Sequence, residues 1–184
     1  ICTYVMQSKL LEYVPDNVLK ILDTHDRMSD RAQALQKNHI KDEFFSCTNE
    51  DEGRYLSRAD IVWARRDEET KFFNDTMGVN KAITVSHFSE PHYLNKNTKQ
   101  LRSVGFLASD NNVNLKCVQE FIDAFVKNKK VMQSGIEVII GGNIKNLLEQ
   151  DTDRMEKIKD TNIKLVGKIP DLVDFYRMVD AVIV

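Results

Sequence analysis

Short β-branched runs alternate with amphipathic stretches along this chain, and that alternation limits its fold more than any other feature. Ser103 to Ala108 (SVGFLA), Ile136 to Ile140 (IEVII), Ile163 to Val166 (IKLV) and Ala181 to Val184 (AVIV) are apolar runs of strand length. Between the first two, Val118, Phe121, Ile122, Phe125 and Val126 recur at i, i+3, i+4, i+7 and i+8, the spacing of one helix face. A second, charged helical stretch covers Ile144 to Asp160, and Asp171 opens a short helix through Met178. Continuous apolar strands are buried on both faces, which requires a parallel sheet covered by crossover helices. Strand, turn and helix repeated in this way make half of a doubly wound domain.

The first half follows the same rhythm less regularly. Val18 to Thr24 (VLKILDT), Ala59 to Ala64 (ADIVWA) and Ile83 to Ser86 (ITVS) are the expected strands. Ser46, Thr48 and Asn49 offer caps to an acidic helix through Ser57, whose Glu50, Asp51 and Glu52 suit its positive end. Asp67 is expected to cap a further helix that buries Phe72 and Phe73 and stops at Gly78. From Phe88 to Gln100 a proline and several turn formers replace any periodicity. The expected organisation is therefore a first domain over 1–88, a linker over 89–101 and a second domain over 102–184.

Bulk properties exclude several classes. A hydrophobic fraction of 42%, a charged fraction of 29% and a formal net charge of −2 suit a globular protein with no global attraction to nucleic acid or anionic lipid. No apolar run reaches the roughly 20 residues that span a bilayer, and no signal peptide is visible. Cys2, Cys47 and Cys117 are odd in number and form no CxxC pair, so free buried thiols in a reducing compartment, the cytoplasm, are expected. The closing run Ala181 to Val184 reads as a core strand whose crossover helix would follow, so the chain reads as part of a longer protein.

In open α/β sheets, ligands bind beyond the carboxyl ends of the strands, where helix N-termini point their N–H groups. That rule selects Thr24, His25 and Asp26 in the first half. In the second it selects Gly105 and Ser109, Asp110, Asn111 and Asn112, then Gly141 and Gly142, then Gly167, Lys168 and Ile169. His25 beside Asp26 could be a general base with its orienting carboxylate, or a hydrogen-bonded structural histidine. Glycine after a strand lets backbone approach a phosphate or ring, or simply makes a tight turn. Ser, Asp and Asn at such a place also cap helices for purely local reasons. GxGxxG, GxxxxGK[ST], GxSxG and HExxH patterns are all absent. His87, Glu90 and His92 resemble a metal set, but their spacing fits no standard zinc site, and no metal site is expected.

Six segments in order resemble bacterial nucleotide-sugar glycosyltransferases of the GT-B type. Val18 to Arg31 (VLKILDTHDRMSDR), Phe44 to Phe73, with its "RAD-hydrophobic" strand and "EE…FF" helix, and Ile83 to Glu90 (ITVSHFSE) look like the late part of the acceptor-side domain. Ser103 to Phe121 (SVGFLASDNNVNLKCVQEF), Val138 to Gly142 (VIIGG) and Ile163 to Val184 are similar to the opening of the donor-side domain. The resemblance implies two Rossmann-like domains with mostly parallel sheets, both incomplete in this chain. It implies transfer of a sugar from a nucleotide-sugar donor to a saccharide or lipid-linked acceptor, in surface polysaccharide or lipopolysaccharide synthesis, with no cofactor and no metal.

Carried over by position, the resemblance puts Gly105 and Ser109 to Asn112 near the diphosphate, Gly167, Lys168 and Ile169 near the nucleobase, and His25 and Asp26 toward the acceptor. It implies a cytoplasmic protein, with the inner face of the membrane as an alternative for the full-length molecule. Two departures stand out. The family's paired-glutamate donor motif would lie beyond Val184, so the chain alone is expected to be inert. Relatives also often carry an arginine and a lysine in the first loop of the second domain, where this chain has Ser-Asp-Asn-Asn and only Lys116 further on. A nucleotide-sugar 2-epimerase of the same architecture and a non-catalytic nucleotide-binding module are the alternatives.

Overall fold

The computed structural model describes residues 1–184 apart from 42, 43, 89, 92, 95, 97–99 and 184. The chain divides into two compact units, Ile1–Glu90 and Pro91–Val184. Among the described residues, no helix is long and apolar enough to cross a membrane.

The first unit runs β1 (Cys2–Thr3), a 3-10 helix (Val5–Tyr13), β2 (Ile21–Asp23), α1 (Arg31–Lys37), α2 (Asn49–Leu56), β3 (Ile61–Ala64), α3 (Asp67–Lys71) with a π-helical turn (Phe72–Thr76), and β4 (Ala82–Thr84). Its sheet is parallel and in chain order, β1-β2-β3-β4. Leu22, Met28, Leu56, Val62 and Phe73 form the centre of its core. The expected strand over 18–24 is shorter, because Val18 N–H turns back to Pro15 C=O (3.1 Å). Thr48 caps α2, accepting the Asp51 N–H at 3.0 Å. Asp67 does not cap α3 as expected: it is the first helical residue, and its carboxylate accepts the Thr84 hydroxyl at 2.6 Å. β1, the 3-10 helix and α1 were not expected from the sequence.

The second unit runs β5 (Ser103–Leu107), α4 (Asn112–Lys127), α5 (Lys129–Met132), β6 (Glu137–Gly141), α6 (Ile144–Leu148), α7 (Thr152–Ile158), β7 (Ile163–Gly167), α8 (Leu172–Met178) and β8 (Ala181–Ile183). All four strands are parallel in the order β7-β6-β5-β8. Side chains alternate across a pleated strand, and the two faces have separate partners. Val104, Phe106, Val138 and Ile140 face the α4–α6–α7 layer, whereas Ile139 packs with Phe175 and Val179 of the α8 region on the other. The single expected helix over 144–160 is two, since the Asp151 carboxylate accepts the Arg154 N–H (3.2 Å) and caps a new start. Asp180 ties the amino ends of β5 and β8, its Oδ2 accepting the Arg102 and Ser103 N–H groups at 2.9 and 3.0 Å.

All three cysteines are free, but only Cys2 is buried, and Cys117 is exposed on α4. The expectation of three buried thiols fails at Cys117 because it falls outside the buried Val118–Ile122–Phe125 stripe of its helix.

Candidate functional site

At the carboxyl ends of the first unit's strands, charged and aromatic side chains converge. Asp23, the last residue of β2, is 7% exposed. Its Oδ1 accepts the His25 N–H (3.3 Å), and its Oδ2 lies 3.5 Å from His25 Nε2. The same Oδ2 pairs with Arg65, which follows β3 and also donates to the Val85 carbonyl (3.3 Å). Thr24 is fixed by donating both its N–H and its hydroxyl to the Trp63 carbonyl. His25 itself sits at φ 59° and Tyr4 at φ 65°, left-handed conformations that bulky residues adopt only under constraint. The two rings stack, with centroids 4.5 Å apart and planes inclined by 20°. Phe44 meets the edge of Tyr4 at 6.0 Å, and the His87 ring lies 6.5 Å from that of His25.

The turn after His25 is held from below. Glu52 of α2 is fully buried and accepts the Met28 and Ser29 N–H groups at 2.8 and 2.9 Å. A buried carboxylate with both oxygens bonded is satisfied rather than strained. Beside it, burial and the carboxylates of Glu52, Asp51 and Asp30 push the Cys47 thiol up to about 12.

The expected pairing of His25 with Asp26 is corrected by this arrangement. The carboxylate that faces the imidazole belongs to Asp23. Asp26 is exposed, and its N–H closes a tight turn onto the Thr24 carbonyl (2.7 Å). His25 follows the strand at φ 59°, and that turn brings its ring to the carboxylate of the last strand residue, a partner that a search for adjacent pairs overlooks. Glu90 and His87 are described, but His92 lies outside the described residues, and so does any test of that trio.

In the second unit, strand order reverses between β5 and β8, and such a reversal opens a crevice at the carboxyl ends. Ser109, Asp110, Asn111 and Asn112 follow β5 there, all exposed. Asn111 caps the sixteen-residue α4, accepting the Asn114 N–H at 2.8 Å. The Asn111 and Asn114 amides both donate to Ser109 Oγ, at 3.0 and 2.9 Å. With its lone pairs filled in this way, the Ser109 hydroxyl has its own hydrogen to donate outward. Lys116 is ion-paired with Glu120 (3.2 Å), so positive character at this loop comes chiefly from the helix N-terminus.

The glycines divide into two kinds. Gly105 and Gly141 were expected to let a ligand approach, yet a Cβ on Gly105 would meet the Phe175 ring at 2.6 Å, and one on Gly141 would meet Ile169 at 2.7 Å. Both are glycine because α8 and its flanks pack flat on that face. Gly142, at φ +100°, has its N–H bonded to the Gly167 carbonyl (2.6 Å), and a Cβ would lie 2.1 Å from the Ala108 oxygen. It locks the ends of three strands together. Gly167 (φ +70°) follows a register shift between β6 and β7, leading to exposed Lys168 and to Ile169, which packs inward. Of the positions expected to meet a donor, Ser109 to Asn112 and Gly167 to Lys168 therefore present themselves at strand ends, whereas Gly105, Gly141 and Gly142 are packing and turn residues.

No protein-family model matches the chain, and no curated protein matches it in sequence. Among solved structures it is similar to TarM, with a TM-score of 0.69 at 14% identity over 98% of this chain and 34% of that one. It is also similar to a mutant S. aureus TarM in complex with fondaparinux, α-GlcNAc-glycerol and UDP, with a TM-score of 0.53 at 16% identity over 84% of this chain and 29% of that one. The chain spans about a third of the length of these structures. At such identities the likeness shows the fold alone: a mixed α/β chain with two parallel four-stranded sheets, matching part of a GT-B-like architecture.

Proposed function

We propose that this chain is part of a glycosyltransferase that moves a sugar from a nucleotide-sugar to a hydroxyl of a saccharide or lipid-linked acceptor, in the cytoplasm and in surface polysaccharide synthesis. The observation that carries this reading is the strand-order reversal beside the N-terminus of α4, where the Ser109 hydroxyl and the positive end of the helix can receive a diphosphate. The TarM complex supports it, because UDP and a GlcNAc-bearing glycerol are what remain after GlcNAc passes from UDP-GlcNAc to a glycerol hydroxyl. Gly167 to Ile169 would lie along the nucleobase.

The chemistry is a displacement at the anomeric carbon. The acceptor oxygen forms the new C–O bond, its proton passes to His25, and the bond from the anomeric carbon to the phosphate oxygen breaks. The nucleoside diphosphate leaves with the electron pair, and N–H donors at the helix N-terminus stabilise its added charge. The reading calls for no metal or cofactor.

Titration of the chain with UDP, GDP and CDP tests it. Saturable binding of one diphosphate is expected, weakened by Ser109→Ala and by Asn112→Ala. A folded protein that binds none of the three would sink the donor-site assignment.

A further inference from the structure

The cluster at the strand ends of the first unit contains more than a histidine. We infer that Asp23 and Tyr4 are the positioning residues of His25, and that together they turn its Nδ1 outward; the catalytic meaning of this rests on the proton-accepting role proposed above. One carboxylate accepts the His25 backbone N–H at 3.3 Å and lies 3.5 Å from its Nε2. Arg65 pairs with the oxygen that faces the ring and so fixes the carboxylate in turn. Tyr4 covers one face of the imidazole at 4.5 Å, and its own N–H is anchored to the Asp23 carbonyl at 2.8 Å. With Nε2 turned toward Asp23, Nδ1 is the ring nitrogen left to meet a ligand.

Two stacked residues both at positive φ are a costly backbone arrangement. Glycine at either position would relieve it, but would remove one of the two rings. At these two positions the strain aims a titratable ring, at the end of the sheet where ligands bind. Asp26, next in the chain, plays no part in holding the ring.

The experiment is nitrogen NMR of the histidine rings in the 184-residue chain at pH 8, with the His25 signals assigned by their loss in His25→Gln. The expected result is an Nε2–H tautomer in the wild type. Asp23→Asn and Tyr4→Leu should each move the His25 ring resonances, Tyr4→Phe should restore them, and Asp26→Asn should leave them in place. Unchanged His25 signals in both Asp23→Asn and Tyr4→Leu, or an equal response to Asp26→Asn, would overturn the inference. Because Tyr4→Leu leaves the Asp23–Arg65 pair intact, the test survives a misfolded Asp23 variant. The nucleotide titration reads the second unit only, so failure there removes the transferase reading and leaves the NMR result to decide the positioning.

Discussion

The two units are built from the same parts, parallel strands joined by crossovers, yet they present opposite chemistry at their strand ends. The first unit lays its strands down in chain order and finishes them with side chains: Tyr4, Asp23, His25 and Arg65. The second reverses strand order beside β5 and finishes its strands with glycine turns, short amides and a helix N-terminus. Side chains with ionisable or aromatic tips can move protons and grip a ring. Backbone N–H groups and short amides can receive an anion without adding a titrating group.

The sharpest way to break this contrast is to put a side chain where the second unit relies on having none. Gly142→Ala places a Cβ 2.1 Å from the Ala108 carbonyl at φ +100° and strains the Gly142–Gly167 bond. A loss of about 3–5 kcal/mol is expected, from left-handed backbone and overpacking together. Gly105→Ala, which meets the Phe175 ring rather than backbone, should lose about 1–3 kcal/mol. Gly78 and Gly135 have open space, so alanine there should lose only about 1 kcal/mol or somewhat more, from positive φ alone. Denaturant melts of the four variants give the order directly. Equal losses at Gly142 and Gly135 would show that the strand ends of the second unit are not locked as described.

The matching intervention in the first unit is Glu52→Ala, which leaves the buried Met28 and Ser29 N–H groups without partners. Each orphaned group costs about 1–3 kcal/mol, so about 2–6 kcal/mol is expected for the two. Hydrogen exchange should show the loss around residues 24–30, with the second unit unaltered. Protection falling evenly over both units would contradict the assignment of Glu52 to this turn alone.

How much of this was legible beforehand depended on whether a feature is local. α4 was plain because five apolar residues repeat at helical spacing, and Asp171 announced its helix because capping is a short-range bond. α1 was not, because none of its seven residues is buried and the residue before it makes no side-chain cap; the Ala32 N–H is met instead by the Ser46 hydroxyl, fourteen positions on. β1 is two residues long and exists only by pairing with β2. The strand-end rule found His25 and Ser109 to Asn112, but Asp23 read as an ordinary strand residue. Its partner Arg65 stands 42 positions away, a distance over which sequence pattern carries nothing. Gly105 and Gly141 show the same limit: the Phe175 ring beside one and the Ile169 side chain beside the other come from late in the chain.

Acid should separate the units more gently. Three aspartates of the second unit are held below their ordinary 3.8. Arg154 bonds to Asp123. Burial alone would raise Asp151, but bonds from Arg154 and Gln119 outweigh it. The Arg102 and Ser103 N–H groups bond to Asp180. A carboxyl whose folded value is depressed binds fewer protons in the folded state, so its stabilisation is complete above the unfolded value and is lost as pH falls through the folded one. The second unit should therefore lose amide protection as pH drops below about 3.8. In the first unit Glu12 is lowered as well, by bonds from Lys9 and Arg58, contacts near the surface that salt weakens. A first unit that opens at higher pH than the second would reverse this contrast.

The smallest effect is chemical rather than structural. The thiolate is the reactive form of cysteine, and Cys47 is pushed up to about 12 by burial first and by the Glu52, Asp51 and Asp30 carboxylates after it. Cys2 is raised as well, by burial. Exposed Cys117 on α4 has no such shelter. With a thiol reagent at pH 8, Cys117 should be labelled first, and Cys47 should be slower by orders of magnitude, since roughly one molecule in 10⁴ carries its thiolate. Glu52→Ala removes the charge with the largest effect of the three and loosens the turn beside the thiol. Cys47 should then label faster, while the Cys117 rate stays fixed. Acceleration at Cys47 without loss of amide protection around residues 24–30 would assign the shelter to charge. Acceleration that tracks the loss of protection would assign it to burial, and would tie the thiol to the same turn that follows His25.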